Sequence, residues 1–447
     1  MREEKQKVAF YTLGCKVNAY ETNAMMNIFL NHGYEIVDFN EFADVYVVNT
    51  CTVTNMSDRK SRQILRRAKQ KNPDSILCAV GCYAQVAKEE LQKIEDIDIV
   101  LGTIEKKDIL EQVEEYQKKQ EKHQVILAEN IMKLRAYDNY DGIAYSEHAR
   151  AEVKIQDGCD RFCTYCIIPY ARGPVRSRKP EEIIKEIQKL VESGIKEIVI
   201  TGIHISSYGK DFKEEDFSNN LSSENKKTNE SVKFGLMDLL EQIHSISGLA
   251  RIRLGSLEPR IITEDFVERL TKLNKICNHF HLSLQSGCNE TLKRMNRKYT
   301  TEEFKQLVAL LRKKIPKVAL TTDVIVGFPG ETEEEFKQTV EFLKEINFSK
   351  MHIFKYSKRK GTPASTYPNQ ISDEKKEERS NILLEMSDKN EKEFAEQYIG
   401  KEIEVLFENE LEGHTTNYIK VVAREKQEIN TIKLVVPKEL ENNVLVF

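Results

Sequence analysis

Three cysteines in the middle of the chain have a spacing that suits a metal centre. Cys159, Cys163 and Cys166 fall within eight residues, as C-x3-C-x2-C, in the segment DGCDRFCTYC. A structural zinc site normally takes four protein ligands, and an ordinary [4Fe–4S] cluster takes four cysteines. Three ligands would leave one iron of such a cluster open to a substrate group. The spacing alone leaves two alternatives, a zinc knuckle with a distant fourth ligand and plain buried cysteines. We call these residues the central cysteine set.

A second group of three cysteines is spread along the first part of the chain. Cys15, Cys51 and Cys82 occur in TLGCKVN, NTCTVT and GCYAQ, and each follows a predicted strand. The carboxyl ends of parallel strands meet at one edge of a sheet, so we expect these three thiols, the N-terminal cysteine set, to converge. The alternative is that one or more are small buried residues. The other cysteines lack this pattern and are interpreted as structural: Cys78, Cys277 and Cys288.

Short apolar runs that alternate with helical segments predict the first element that positions these cysteines. Such a pattern is typical of a parallel α/β sheet covered on both faces. The runs are Val8–Leu13, Val45–Asn49, Ile76–Val80 and Ile97–Leu101. Residues 111–150 are polar and mixed, and we interpret them as a linking region.

A second series of strands and helices begins after residue 150. Six strand candidates separated by helices predict a partial (β/α)6 barrel, with its chemistry at the strand ends. The strand candidates are Val153–Gln156, Glu197–Thr201, Arg251–Gly255, His279–Leu284, Leu320–Val326 and Lys350–Lys355. The helical stretches are 181–193, 235–246, 263–275, 289–314 and 331–346. Residues 210–233 are polar and are expected to form a mobile surface insertion.

The C-terminal part changes character again. Residues 372–398 predict a charged helix, and the alternating runs after Gly400 predict a small β-barrel. The predicted fold class is therefore α/β, with three domains at 1–130, 145–395 and 398–447.

Composition narrows the class of protein. The chain has 447 residues and nine cysteines, with 68 Lys and Arg against 72 Asp and Glu, which gives a net charge of −4. A uniformly basic nucleic-acid coat is excluded, whereas local basic patches are not. No apolar run is long enough to span a bilayer, and the start of the chain lacks a secretory signal. An odd number of cysteines without a signal favours metal or redox chemistry in a reducing cytoplasm.

The cysteine motifs resemble those of a known enzyme family. The segment DGCDRFCTYC, with Tyr165 before its last cysteine, resembles the radical S-adenosylmethionine (SAM) signature. Two three-cysteine sites in one chain, together with SLEP, HLSLQSG and DVIVGFPGET, resemble the methylthiotransferases of that superfamily. The resemblance covers nearly the whole chain and implies an N-terminal methylthiotransferase domain, a radical SAM barrel and a C-terminal TRAM domain.

The resemblance implies two [4Fe–4S] clusters and SAM as cofactors. The central cysteine set would hold a catalytic cluster whose open iron binds SAM, and reductive cleavage of SAM would yield a radical that removes an inert hydrogen. The N-terminal cysteine set would hold a second cluster that supplies or carries sulfur. The residues expected near SAM are Tyr165, Gly202, Ser256, Glu258, Ser283, Gln285 and Arg297. A surface salt bridge is the alternative role for Arg297.

The motif around Cys15 indicates which substrate the enzyme takes. GCKVN at 14–18 and TGIHISSYG at 201–209 resemble the branch that acts on N6-threonylcarbamoyladenosine in tRNA, next to the anticodon. The alternatives are isopentenyladenosine in tRNA, a ribosomal-protein aspartate, or a non-catalytic iron–sulfur or zinc RNA-binding protein. The implied partners are tRNA and a reductant protein, with no membrane. Basic patches at 56–72, 172–179 and 355–360 are candidate phosphate contacts, and a solvated helix face is the favoured interpretation of 56–72 alone. The C-terminal tail is acidic, so RNA contact there would need Lys401, His414, Asn417, Tyr418 or Lys420.

Overall fold

A computed structural model describes residues 5–119, 123–139, 149–213 and 234–447. Residues 214–233 of the predicted insertion lie outside these ranges. Within them, no helix is both long and apolar enough to cross a membrane.

The N-terminal domain is built on a six-stranded sheet in which every neighbouring pair of strands is parallel. Its strands are β1 (Lys7–Thr12), β2 (Glu35–Val37), β3 (Val45–Thr50), β4 (Ile76–Gly81), β5 (Ile99–Leu101) and β6 (Val125–Leu127), in the spatial order β2-β1-β3-β4-β5-β6. Its helices are α1 (Lys16–Asn31), α2 (Asn55–Lys71), α3 (Cys82–Val86), α4 (Lys88–Leu91) and α5 (Ile109–Lys118). The central strands β3 and β4 are buried throughout, as the apolar runs VYVV and ILCAV predict.

The interpretation of 111–150 as a linking region is wrong for its first part. Helix α5 covers one face of the sheet through Ile109, Leu110 and Val113, and β6 adds the last strand beside β5. The three apolar residues of β6 are too few to predict a strand from the sequence alone. They form a strand because β5 supplies their hydrogen-bonding partner.

The central domain is a curved wall of six parallel strands, and this confirms the predicted partial barrel. Its strands are β7 (Arg150–Asp157), β8 (Arg176–Ser177), β9 (Glu197–Gly202), β10 (Arg251–Leu254), β11 (His279–His281), β12 (Ala319–Val326) and β13 (Lys350–Lys355). Short β8 pairs antiparallel with the end of β7, and the other six follow one another in chain order. Isolated bridges Ile252–Ile276 and Leu257–Leu282 close the step from β10 to β11.

Helices cover the outer face of this wall and pack on its apolar side chains. They are α7 (Pro180–Glu192), α8 (Leu236–His244), α9 (Glu264–Leu270), α10 (Asn289–Arg294), α11 (Thr301–Lys314), α12 (Glu333–Ile346) and α13 (Asp373–Glu396). The short helix α6 (Ile168–Arg172) precedes them and contacts α3 of the N-terminal domain. The single predicted helix at 289–314 is two helices. Asn296 adopts a left-handed φ of 61° between them, and Thr300 caps α11 by accepting from the amide of Glu303.

The C-terminal domain is a six-stranded, mainly antiparallel β unit packed on the end of α13. Its strands are β14 (Ile403–Phe407), β15 (Glu412–Thr415), β16 (Lys420–Val422), β17 (Ile432–Val435), β18 (Glu439–Glu441) and β19 (Val444–Val446). Two buried arginines of β10 hold it to the barrel. Arg253 binds Glu197 at 2.7 Å and donates to the carbonyl of Thr415 at 3.1 Å, and Arg251 binds Glu404 at 2.7 Å.

Buried charges join the N-terminal domain to the barrel. Glu21 of α1 is fully buried and binds Arg172, Lys106 and Lys154, the last at 2.7 Å. Lys154 also binds Asp157 at 2.6 Å. Burial by itself would raise the pKa of the Glu21 carboxyl, but its three cationic partners hold that pKa well below the usual range. We call these five residues the junction network.

We expect Glu21→Gln to lower the free energy of unfolding by about 3 kcal/mol or more, because it leaves buried cations without their charge partner. Thermal or urea unfolding of the metal-free chain measures this. The exposed Glu115→Gln is the matched control on α5. Because the folded pKa of Glu21 is depressed, its stabilisation is present above about pH 4.3 and is lost as pH falls through the folded pKa. Equal stability of Glu21→Gln and Glu115→Gln would contradict the assigned role.

Candidate functional site

The N-terminal cysteine set converges as predicted. Strands β1, β3 and β4 are neighbours in the sheet, with Thr12 opposite Asn49 and Thr50 opposite Gly81. Cys15 follows β1 and precedes α1, Cys51 follows β3, and Cys82 opens α3. The thiols of Cys82 and Cys15 act electrostatically on that of Cys51, so the three share one corner of the sheet.

Tight backbone packing brings these cysteines together. Gly14 has φ of 108°, and a Cβ there would stand 3.1 Å from the Cys51 sulfur, so a side chain is excluded. Asn18 donates to the carbonyls of Leu13 and Thr50 at 2.7 and 3.1 Å, and so ties the ends of β1 and β3 to α1. Sequence reasoning missed Asn18, although its place three residues after Cys15 marks the first turn of the helix.

Arg172 is a further residue that the sequence analysis misjudged. Its Nε donates to the Cys82 sulfur at 3.1 Å, and its Nη2 donates to Asn18 at 2.6 Å and to Glu21 at 3.0 Å. The interpretation of 172–179 as a phosphate-binding patch is wrong, because Arg172, Arg176 and Arg178 are all buried and bound to carboxylates. The side chain of Arg172 instead places a cation from the barrel against a cysteine of the N-terminal set.

The central cysteine set lies in the loop between β7 and α6. Phe162 takes a left-handed φ of 46° in this loop, and the amide of Cys159 donates to Gly173 at 2.9 Å. Thr164 fastens the other side, since its hydroxyl donates to the carbonyl of Arg294 at 2.8 Å. The thiols of Cys163 and Cys159 act on that of Cys166, so these three cysteines also form one group.

The chemistry of both groups suits iron–sulfur ligation. Burial raises the pKa of the Cys51 and Cys159 thiols to about 11 and that of Cys166 to about 12, so metal binding must release protons. Within the described ranges, no three Cys, His, Asp or Glu side chains lie close enough to share one metal ion. A [4Fe–4S] cluster binds each cysteine through a different iron, so its ligands stand further apart than those of one zinc ion. Each set supplies three thiols, which are the donors that iron–sulfur clusters take.

Arg297 lies against the central set. Its Nη1 donates to the Cys163 sulfur at 3.4 Å, its Nη2 to the carbonyl of Ser283 at 2.9 Å, and its Nε to the Tyr299 hydroxyl at 2.9 Å. A surface salt bridge is therefore the wrong interpretation of this residue.

The other residues expected near SAM surround the same strand ends. Ser256 and Ser283 share a hydrogen bond of 2.7 Å, and Glu258 accepts from Arg161 of the cysteine loop at 3.0 Å. Gln285 is buried, with a left-handed φ of 73°. Its backbone bridges to β12, where its amide donates to Asp323 and its carbonyl accepts from Ile325.

Two of the expected residues have partners within the chain that account for their type. Tyr165 packs on an apolar cluster that includes Phe328 and Tyr356. A Cβ at Gly202 would stand 2.9 Å from the carbonyl of Gln156, so the close approach of β7 already requires glycine there.

A cavity of about 910 Å³ runs through the barrel, and all three domains line it. Cys15 and Lys16 come from the N-terminal domain, Ser256 from a strand end, His279 from the barrel interior and Tyr418 from the C-terminal domain. Of the N-terminal cysteine set, Cys15 therefore opens on the barrel interior, whereas Cys51 and Cys82 are buried. We call this space the barrel cavity.

The C-terminal residues considered for RNA contact mostly face the barrel. The ring of Tyr418 lies 4.6 Å from the guanidinium of Arg253 and 5.0 Å from the ring of His279. Asn417 is buried and donates to Tyr398 at 2.6 Å, and Lys420 binds Glu412 at 2.7 Å. Lys401 is the exposed exception.

Comparison with known proteins gives two family matches. Residues 153–343 match the family described as Radical SAM superfamily, and residues 7–102 match the one described as Uncharacterized protein family UPF0004. The chain is also similar to a solved radical SAM methyltransferase, TsrM from Kitasatospora setae, with a TM-score of 0.57 and 16% identity over 81% of this chain and 77% of that one. This last likeness concerns the fold alone.

Curated relatives match over almost the full length. The chain is 47% identical to the threonylcarbamoyladenosine tRNA methylthiotransferase MtaB of Bacillus subtilis, over 93% of this chain and 90% of that protein. It is 41% identical to the protein of the same name from Aquifex aeolicus, over 95% and 98%. It is 36% identical to a tRNA-2-methylthio-N(6)-dimethylallyladenosine synthase of Clostridium botulinum, over 90% and 88%.

We expect alkylation of the metal-free chain to rank the thiols by exposure. Cys15 is the exposed cysteine, whereas Cys51, Cys82 and Cys78 are buried. Iodoacetamide at pH 8 should modify Cys15 first and Cys78 last, with peptide mass spectrometry as the measurement. Modification of Cys82 as fast as that of Cys15 would show that the sheet corner is open, against the packing described above.

Proposed function

Because the chain belongs to the methylthiotransferase family of radical SAM enzymes, we propose that it methylthiolates C2 of N6-threonylcarbamoyladenosine in tRNA, next to the anticodon. The relatives from Bacillus subtilis and Aquifex aeolicus bear the name of this activity. Enzymes of this family use SAM and a [4Fe–4S] cluster, and carry a second cluster.

One observation carries the assignment of sites: Cys15 lines the barrel cavity, and hydrogen bonds lead from the wall of that cavity to the central cysteine set. Cys15 lines the barrel cavity together with Ser256. Ser256 is hydrogen-bonded to Ser283, whose carbonyl accepts from the Arg297 side chain that also donates to Cys163. Hydrogen bonds thus connect the cavity wall at Ser256 with the central set, and Cys15 lies on the wall of the same cavity. This arrangement supports two clusters acting on one bound nucleoside.

We assign the central set, Cys159, Cys163 and Cys166, to the cluster that binds SAM, and Cys15, Cys51 and Cys82 to the second cluster. When bound, these groups supply the radical that removes the C2 hydrogen and the sulfur that replaces it. Arg172 and Arg297 each donate to one cysteine sulfur, and so stabilise the anionic form that a ligand must take. Glu258 orients the central loop through Arg161.

The remaining expected SAM contacts are proposed from their places around the central set. Ser256 and Ser283 present hydroxyls at the strand ends, Gln285 lies just beyond them, and Gly202 keeps the wall free of a side chain. Tyr165 directly precedes Cys166 and is proposed to pack beside the adenine of SAM.

The exposed face of α2 is the best supported RNA surface. A groove of about 630 Å³ there is lined by Arg59, Arg62, Gln63, Arg66, Arg67 and Gln70. In the described part of the chain Arg59 and Arg66 are exposed and form no ion pair. Helix α2 begins just after Cys51, and the pair Asp58–Arg359 at 2.7 Å fixes its first turn to the barrel. Phosphate contacts here would position the tRNA backbone on the helix that follows Cys51.

A partner and a cellular location are proposed from the chemistry of this reaction. Reductive cleavage of SAM needs an external electron, so a reductant protein is proposed as a partner. Since the substrate is tRNA, a cytoplasmic location is proposed.

We expect mutations in the two cysteine sets to abolish different steps of the reaction. Cys163→Ala should abolish 5′-deoxyadenosine formation, whereas Cys51→Ala should retain it and lose the methylthio product. Anaerobically reconstituted enzyme should hold about eight iron per chain, and about four in each variant. Liquid chromatography of the digested tRNA and iron analysis measure these values. Full product from Cys51→Ala would refute the division of roles.

The substrate itself is tested with tRNA from a strain that lacks this chain. Loss of the methylthio group from the threonylcarbamoyl nucleoside is required. Loss from isopentenyladenosine instead would identify the other tRNA branch. Unchanged nucleosides, with zinc and no iron in the protein, would favour a non-catalytic RNA-binding protein.

We expect the double change Arg59→Glu and Arg66→Glu to weaken tRNA binding and to flatten its dependence on salt. Each lost phosphate contact should reduce the slope of log K against log salt by about 0.7–0.9. Filter binding at several salt concentrations measures the slope. Lys389→Glu with Lys392→Glu on α13 is the control of equal charge change. If both double variants shift the slope alike, α2 has no special part in RNA binding.

A further inference from the structure

We propose that the ammonium group of Lys16 binds the carboxylate of the threonylcarbamoyl substituent and selects nucleosides that carry it. This inference rests on the proposed function and names a specificity-determining residue for it. It is independent of the residues that hold the clusters.

Lys16 lies close to the place expected for the N6 substituent of a bound nucleoside. It follows Cys15 directly and opens α1, and its side chain lines the barrel cavity. Its Nζ lies 5.9 Å from the centre of the Tyr418 ring on the opposite wall. In adenine, C2 and C6 flank N1, so a group on N6 lies on the same edge of the base as the carbon that receives sulfur. A base presented to the N-terminal cysteine set therefore brings its N6 substituent close to Lys16.

The other lysines around the cavity already have carboxylate partners, and Asp323 has a histidine beside it. Lys350 binds Glu391 at 2.7 Å, Lys420 binds Glu412 at 2.7 Å, and His281 lies 3.2 Å from Asp323. Across the described ranges, Lys16 forms no ion pair with a carboxylate, and its ammonium group lies over the Tyr418 ring. The cavity therefore contains a cation that the chain itself does not neutralise.

The position of Lys16 gives it no evident structural purpose. A cation in the first turn of a helix opposes the helix dipole, and the first turn of α1 contains no acidic residue to offset it. The dipole and the ammonium group instead act together to favour an anion at this end of the cavity.

His279 provides a second sign that a polar ligand belongs here. It is almost fully buried in the cavity wall, with its Nε2 bonded to Thr321 at 3.1 Å, whereas its Nδ1 has no hydrogen-bond partner. Burial and then the charge of Arg253 keep the pKa of His279 well below its usual range, so the ring is neutral. Lys16 acts on it in the same direction, which places the two residues near each other.

This arrangement distinguishes the two tRNA nucleosides by charge. The threonylcarbamoyl group carries one carboxylate, which can pair with Lys16. An isopentenyl group carries none and would cover the ammonium without a partner, and a polar site rejects such a ligand strongly. The predicted basis of selection is therefore a charge-assisted hydrogen bond, not the shape of the cavity.

The test compares two anticodon stem–loops on the anaerobically reconstituted full-length enzyme. One carries threonylcarbamoyladenosine, and the other carries its methyl ester, which removes only the negative charge. Fluorescence anisotropy gives the dissociation constants, and steady-state product formation gives KM and kcat separately. For the unmodified chain we expect the ester to bind about 10- to 100-fold more weakly and to raise KM by a similar factor.

Variants of Lys16 test whether this residue causes the preference for the acid over the ester. Lys16→Gln should bind the acid as weakly as the ester, whereas Lys16→Arg should restore most of the preference. Lys420→Gln is the matched control, because it removes a cation of the same cavity that already has Glu412 as its partner. It should keep the full preference for the acid.

Each outcome decides a separate question. Equal binding of acid and ester by the unmodified chain overturns the proposal, and so does a preference that survives in Lys16→Gln. If Lys16→Gln loses iron, the acid–ester comparison on the unmodified chain still decides whether charge is recognised, and the same comparison on the metal-free forms of both chains decides whether Lys16 is the residue. Product from an isopentenyladenosine stem–loop, with none from the threonylcarbamoyl one, would overturn the proposed function as well.

Discussion

The burial of charge at the junction between the sheet and the barrel is the constraint on which the rest of the structure depends. Four cations, Arg172, Lys106, Lys154 and Arg176, meet two carboxylates, Glu21 and Asp157, away from water. Isolated ions cannot be buried in this way, so the domains must dock in one register for the charges to be matched. The excess of cations lies beside Cys82, where the thiolates of the proposed second cluster would add negative charge. Domain docking and the proposed cluster site therefore share the same buried charges.

The barrel cavity follows from this docking. Because α1 is fixed against β7 by Glu21 and Lys154, its first turn brings Cys15 and Lys16 to the barrel interior. The C-terminal domain completes the wall from the other side, where Arg253 binds its backbone and Tyr418 packs against the same guanidinium. The C-terminal domain lines the cavity, whereas the RNA surface that we propose from exposed charge is α2. The acidic net charge of this β domain is compatible with that role, since the residues that line the cavity are those on its inward side.

The basic patches show how tertiary structure changes the meaning of a sequence feature. Two arginine-rich segments look equivalent as charge counts, yet the one at 172–179 is buried as structural ion pairs and the one on α2 is exposed. The difference is burial, which the local sequence of 172–179 does not encode. The carboxylate partners of Arg172, Glu21 and Asp157, lie on other elements. Glu21 is 151 positions away in the sequence.

The sequence by itself determined the order of the longer strands and the grouping of the cysteines. Both follow from local rules: alternating apolar runs and helices produce parallel strands, and parallel strands deliver the residues after them, Cys15, Cys51 and Cys82, to one edge. The close spacing of Cys159, Cys163 and Cys166 needed no fold at all. Only the tertiary structure decided that β6 joins the sheet, that Arg172 touches Cys82, and that Lys16 faces Tyr418. Each of these depends on how separate domains pack, and the energy of such contacts comes from partners distant in sequence, where no local pattern records it.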